Sequence, residues 1–99
     1  MIFSAHNLAQ FTGNATGTAF DFDNNPGPSS VTVSCASLVG GTVTIEVKNG
    51  SDAGSEWISY ATHTDDGYTE INAPFEQIRA TMTGFTSGTA TVNLCWVRN

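Results

Sequence analysis

Two histidines, two cysteines and nine acids are the side chains of this 99-residue chain that could support acid–base, nucleophilic or metal chemistry. Their spacing specifies none of these. His6 and His63 each lack a second histidine or cysteine at ligand spacing, which argues against zinc. A surface imidazole beside a turn accounts for each. The run His63-Thr64-Asp65-Asp66-Gly67 gathers oxygen ligands, but it lacks the ligand series and terminal glutamate of an EF-hand loop. Asp21 and Asp23 fall on one face of an extended segment, where they could bind calcium with loop carbonyls or simply end a solvated strand. Two carboxylates are also weak support for glycoside hydrolysis, because their separation in space decides that chemistry.

Cys35 and Cys95 invite a disulfide, but strand parity opposes one. Cys35 shares a face with Val31 and Val33, whereas Cys95 alternates against Val92, Leu94 and Trp96. A bridge between sheets needs both side chains to point inward. Two unbridged thiols are expected, consistent with a reducing compartment. No Cys-His nucleophile pattern occurs, and serines are too numerous to single one out. The expectation is a non-enzymatic chain that needs no metal or organic cofactor.

Composition narrows the partners. The net charge is −6, and Lys48, Arg79 and Arg98 are scattered along the chain. Phosphate binding needs clustered Lys and Arg, so neither nucleic acid nor an anionic membrane surface is expected. The acidic balance favours solubility or a basic protein partner. "MIFSAHNLAQF" lacks the basic start and long apolar run of a secretory signal, so a reducing cytoplasm is the expected compartment of synthesis.

The elements that must position these residues are strands. Period-two alternation recurs at 18–22, 30–37, 42–48, 56–62, near 68–71, 77–83 and 89–97, and no helical period of useful length appears. "NNPGPSS" cannot sit inside a ladder, because its prolines deny backbone donors. The run 49–55 is expected to join antiparallel strands through an Asn-Gly turn. The run 65–67 is expected to start another reversal, and Phe85-Thr86-Ser87-Gly88 to close a hairpin. This predicts an all-β chain: a single antiparallel β-sandwich or jelly-roll-like domain of about seven or eight strands. Residues 1–13 are expected as an N-terminal arm or an edge strand, and 14–99 as the sandwich. Phe3, Leu8 and Phe11 need burial, in a neighbour's pockets if the segment is an arm. Arg79 faces away from Ile78, Ala80 and Met82, free to pair with an acid on a neighbouring strand or subunit. Trp57, Tyr60, Tyr68, Phe75, Phe85 and Trp96 could form a sugar-binding platform, although aromatics in a small sandwich are chiefly core.

The ordered run "GTVTIEVKNGSDAGSEWISYATHTDDGYTEINAPFEQIRATMTGFTSGTATVNL", residues 41 to 94, resembles small virion proteins of tailed bacteriophages. The order is a Val-rich strand, a turn, a Trp strand, an Asp-Gly turn, an Ala-Pro-Phe segment, Ile-Arg-Ala, and a Gly-containing connection into a Thr/Val strand. The resemblance is to capsid decoration, or cement, proteins. It implies a virion structural protein on the outer capsid surface. Its partners would be the major capsid protein and further copies of itself, with a trimer favoured. Phe3, Leu8, Phe11 and Arg79 are the candidate contact residues. The alternatives are a phage tail or fibre component, and a carbohydrate-binding module for host recognition.

Overall fold

Alternation of apolar and polar side chains writes most of this fold directly. The computed structural model describes residues 2–22, 30–48, 56–72 and 75–98, with side chains at 4–22, 31–48, 56–72 and 75–96. Nine strands occur among them. They are β1 (Ile2–Phe11), β2 (Ala15–Thr16), β3 (Phe20–Asp21), β4 (Ser30–Ala36), β5 (Thr42–Lys48), β6 (Ile58–His63), β7 (Gly67–Ile71), β8 (Gln77–Thr83) and β9 (Ala90–Arg98). A four-stranded sheet runs β1-β9-β4-β7. A five-stranded sheet runs β2-β8-β5-β6, with β3 also on β8. All pairings are antiparallel.

The two sheets close over one core. Val31, Val33 and Cys35 of β4 and Val92 and Leu94 of β9 point inward from one sheet. Val43, Ile45 and Val47 of β5 and Ile78, Ala80 and Met82 of β8 point inward from the other. Each fully buried Val, Leu, Ile or Met contributes roughly 1.5–3 kcal/mol of transfer free energy. The result is a slab of 38 × 33 × 17 Å with a radius of gyration of 13.1 Å. Its two broad sides are the outer faces of the sheets.

At one end the slab is closed by rings packed at tilted and edge-to-face angles. Phe20 contacts His6 and Trp96 at centroid distances of 4.5 and 5.2 Å. Phe22 contacts Trp96 and Phe75 at 5.3 and 5.2 Å. Beside the connection between β6 and β7, His63 Nε2 and Thr69 Oγ1 share a 2.6 Å hydrogen bond from one sheet to the other.

Two connections differ from expectation. β6 and β7 lie in different sheets, and so do β8 and β9. Residues 64–66 and 84–89 are therefore crossovers between sheets, and Phe85–Gly88 closes no hairpin. Turn chemistry specifies a change of direction, but not which sheet receives the next strand. The second crossover is pinned to residues 37–41. Val39 bridges Ser87, and the Thr86 hydroxyl donates to the Val39 carbonyl. Gly40 and Gly41 hold φ of 73° and 91°, a conformation glycine adopts without steric cost.

Within residues 1–13, expected as an arm or an edge strand, Ile2–Phe11 form β1 along β9. A register shift between Asn7 and Ala9 leaves Leu8 as an extra residue, a β-bulge. Leu8 and Phe11 are both core residues, 5% and 3% exposed. Neither can fill a neighbour's pocket, which corrects their assignment as partner contacts. The side chain of Phe3, Asp23, the 49–55 turn and the Ala73-Pro74 step lie outside the described residues.

Candidate functional site

β5 and β8 pair over their full lengths, so their outward residues form ordered rows across the five-stranded sheet. One row is Thr16, Thr81, Thr44 and Thr62. The next holds Arg79, Glu46 and Ser59, and the next Asp21, Gln77 and Lys48. Directly opposed residues on such a face have Cβ atoms roughly 4.5–5.5 Å apart, close enough for their side chains to join.

They do join here. Arg79 Nε donates to Glu46 Oε1 at 2.9 Å, and Thr81 Oγ1 donates to the same oxygen at 2.8 Å. Gln77 Nε2 donates to Asp21 Oδ2 at 3.1 Å. The Arg79 guanidinium carbon lies 4.2 Å from the centre of the Trp57 ring, and Lys48 Nζ lies 5.6 Å from it. Two of the chain's three cationic residues thus gather on one indole in a molecule of net charge −6. Burial alone would push the Glu46 carboxyl up. The hydrogen bonds from Arg79 and Thr81, with the Arg79 charge, outweigh it and hold the group below the usual glutamate range.

This cluster suits recognition. A planar guanidinium stacked on indole and held by a carboxylate is preorganised, so binding orders little that is not ordered already. Arg79 was expected to meet an acid on a neighbouring strand or subunit, and its partner is Glu46 on the neighbouring strand. Trp57, Lys48, Glu46 and Thr81 were not foreseen as its companions. Their outward parity was readable, but the β5–β8 register that assembles them was not.

The other candidates are dispersed. His6 stacks on Phe20, and His63 bonds Thr69. Asp66 Oδ1 accepts from the Leu38 backbone N–H at 2.8 Å. No group of three or more His, Cys, Asp or Glu suited to a metal occurs among the described residues. Cys35 is buried, Cys95 is half-buried, and both are free thiols. Burial, and secondarily the nearby Asp66 charge, raise the Cys35 thiol. The six aromatics do not make one platform. Phe75 and Trp96 join the ring stack against the core, while the exposed Tyr60 and Tyr68 stand on strands of different sheets.

The opposite broad face is different in kind. Its rows are Asn7, Asn93, Ser34 and Tyr68, then Ala5, Cys95, Thr32 and Glu70. Asn7 Nδ2 donates to Asn93 Oδ1 at 2.9 Å. Short side chains here leave an open depression of about 440 Å³, lined by Ala5, His6, Asn7, Ser34, Asn93 and Cys95.

No protein-family model matches the chain, and no curated protein matches it in sequence. Among solved structures it is similar to the crystal structure of the SPBc2 prophage-derived protein YomS. The TM-score is 0.77 at 12% identity, and the match covers 98% of this chain and 94% of that one. At that identity the likeness speaks for the shared fold.

Proposed function

We propose that the chain is a non-enzymatic structural protein of a phage particle, and that it decorates the outer capsid by docking through the Trp57 face. The preorganised Trp57–Arg79–Glu46 cluster on the outer face of the five-stranded sheet carries this reading. Trp and Arg dominate the energetic centres of protein interfaces, and a rigid pair loses little freedom on binding. Two further supports are the ordered resemblance over residues 41 to 94 to decoration proteins and the fold shared with a prophage-derived protein. The capsid lattice repeats its sites, so a modest contact is amplified wherever linked copies engage together. A carbohydrate-binding role has less support, because Trp57 carries a guanidinium over its ring and Tyr60 and Tyr68 do not share a sheet.

The test is co-sedimentation of the purified protein with particles that lack it. The wild type should saturate a fixed number of sites per particle. Trp57→Ala should weaken binding by about 30-fold, the scale of an interface hot spot of ~2 kcal/mol. Unchanged binding by a folded Trp57→Ala variant would remove this face from the interface.

A further inference from the structure

β6 and β7 are the outermost strands at one side of the sandwich, joined by residues 64–66 and tied by the His63–Thr69 bond. We propose that β7 is a docking edge, and that an extended, lysine- or arginine-bearing segment of a partner protein pairs with it as a fifth strand of the four-stranded sheet. A free strand edge offers a row of unpaired backbone groups, and proteins blunt such edges with bulges or very short strands. The other edges of this sandwich are blunted in these ways. β1 is bulged at Leu8 and β6 at Tyr60, while β2 and β3 have two residues each. β7 holds an unbroken register from Gly67 to Ile71, and among the described strands it pairs only with β4.

Apolar surface collects on the same side. Four large hydrophobic residues are exposed among those described, and three of them, Ile58, Tyr60 and Tyr68, belong to β6 and β7. Ile58 is the most informative. It pairs with Val47 and shares its core-facing side, yet Val47 is 8% exposed and Ile58 is 55% exposed. The four-stranded sheet stops short of it. A strand added beside β7 continues that sheet over β6 and takes Ile58 out of water.

Charge selects the occupant. Asp65 and Asp66 lead into β7, and Glu70 stands on its outer face with Tyr68. Asp66 accepts from the Leu38 backbone and Glu70 from the Asn72 amide, and none of the three acids meets a cation among the described residues. A second copy of this chain would bring the same acids to the edge and be repelled, whereas a cationic strand is attracted. Side chains alternate along a strand. The segment that fits therefore carries Lys or Arg at every second position, beside Glu70, and apolar residues between them, toward Ile58. This inference is independent of capsid docking through Trp57.

The probe is a fluorescein-labelled peptide of alternating lysine and valine, followed by fluorescence anisotropy. It should bind with a Kd below ~1 mM, and Glu70→Lys should weaken binding by about tenfold. A peptide of alternating glutamate and valine should not bind. Two N-methylated forms of the probe, one methylated at its lysines and one at its valines, separate strand pairing from plain attraction of charge. Alternate N–H groups of a strand point to opposite sides, so one form should lose binding and the other keep it. Amide chemical-shift changes in the isotope-labelled protein should centre on Gly67–Ile71. No binding at ~1 mM, an unaffected Glu70→Lys variant, equal affinity for the glutamate peptide, equal behaviour of the two methylated forms, or shifts centred on Lys48 and Arg79 would each overturn the proposal. The assay contains no particle, so it fails separately from capsid docking.

Discussion

Arg79 and Glu46 stand directly opposite each other on β8 and β5, joined at 2.9 Å although 33 residues separate them in sequence. The pair is part-buried, with side chains 25% and 19% exposed. It links the strand pairing of the five-stranded sheet to the Trp57 surface, so its chemistry should be visible in stability as well as in binding.

The Glu46 carboxyl is held below its ordinary value of 4.5 in the folded protein. A depressed carboxylate contributes stability that is fully present above the unfolded value and is lost as pH falls through the folded one. Glu46→Gln should therefore lower the Tm at pH 7, and the gap to wild type should close as the pH drops below 4.5. Thermal melts of both proteins from pH 7 to pH 2 check this. A gap that stays constant with pH would mean that the carboxylate's charge contributes nothing.

β1 should behave as part of the core. Phe11→Ala should cost ~3–5 kcal/mol and Leu8→Ala ~2–5 kcal/mol, since each opens a cavity in a packed interior. Denaturant unfolding measures both. Removing residues 2–11 should also bare the β9 edge and cause aggregation, because an unpaired edge invites other chains. A truncated chain that stays folded and monomeric would contradict this.

The strands and the site were unequally legible. β5 and β8 coincide with the alternating runs 42–48 and 77–83, because every second residue of each meets the core. β1 escaped the same pattern. Leu8 and Phe11 are three residues apart, and only the bulge brings both inward. β2 has two residues, too short to show a period, whereas β3 falls within the alternating run 18–22. The crossovers at 64–66 and 84–89 carry ordinary turn residues, so the sequence did not distinguish them from hairpins. For the site, the outward parity of Glu46, Lys48 and Arg79 was visible. Their convergence on Trp57 depends on a long-range register that local pattern does not encode.

Gly40 should tolerate no side chain. A Cβ there would lie 2.1 Å from Thr86 Oγ1, at a φ of 73°. Gly40→Ala should destabilise by ~1–3 kcal/mol, through strain and the displaced Thr86–Val39 hydrogen bond. Gly13→Ala is the control, because nothing lies within 4 Å of its added carbon. Equal melting temperatures for the two variants would contradict the packing of these loops.

Both thiols should be reactive once the protein is unfolded. Mass measurement after alkylation in denaturant, without reductant, should show two additions, one each at Cys35 and Cys95. In the folded protein Cys35 should remain unmodified, since burial both shields it and disfavours its thiolate. No addition in denaturant would reveal a disulfide and contradict the parity of β4 and β9.

Capsid decoration through the Trp57 face is tested most directly by paired electron-microscopy reconstructions of particles with and without this protein. The difference density should lie on the outer capsid surface at regular lattice positions. It should fit the 38 × 33 × 17 Å slab with Trp57, Arg79 and Lys48 turned toward the capsid. Difference density confined to the tail, or a slab seated with the Trp57 face toward solvent, would contradict it.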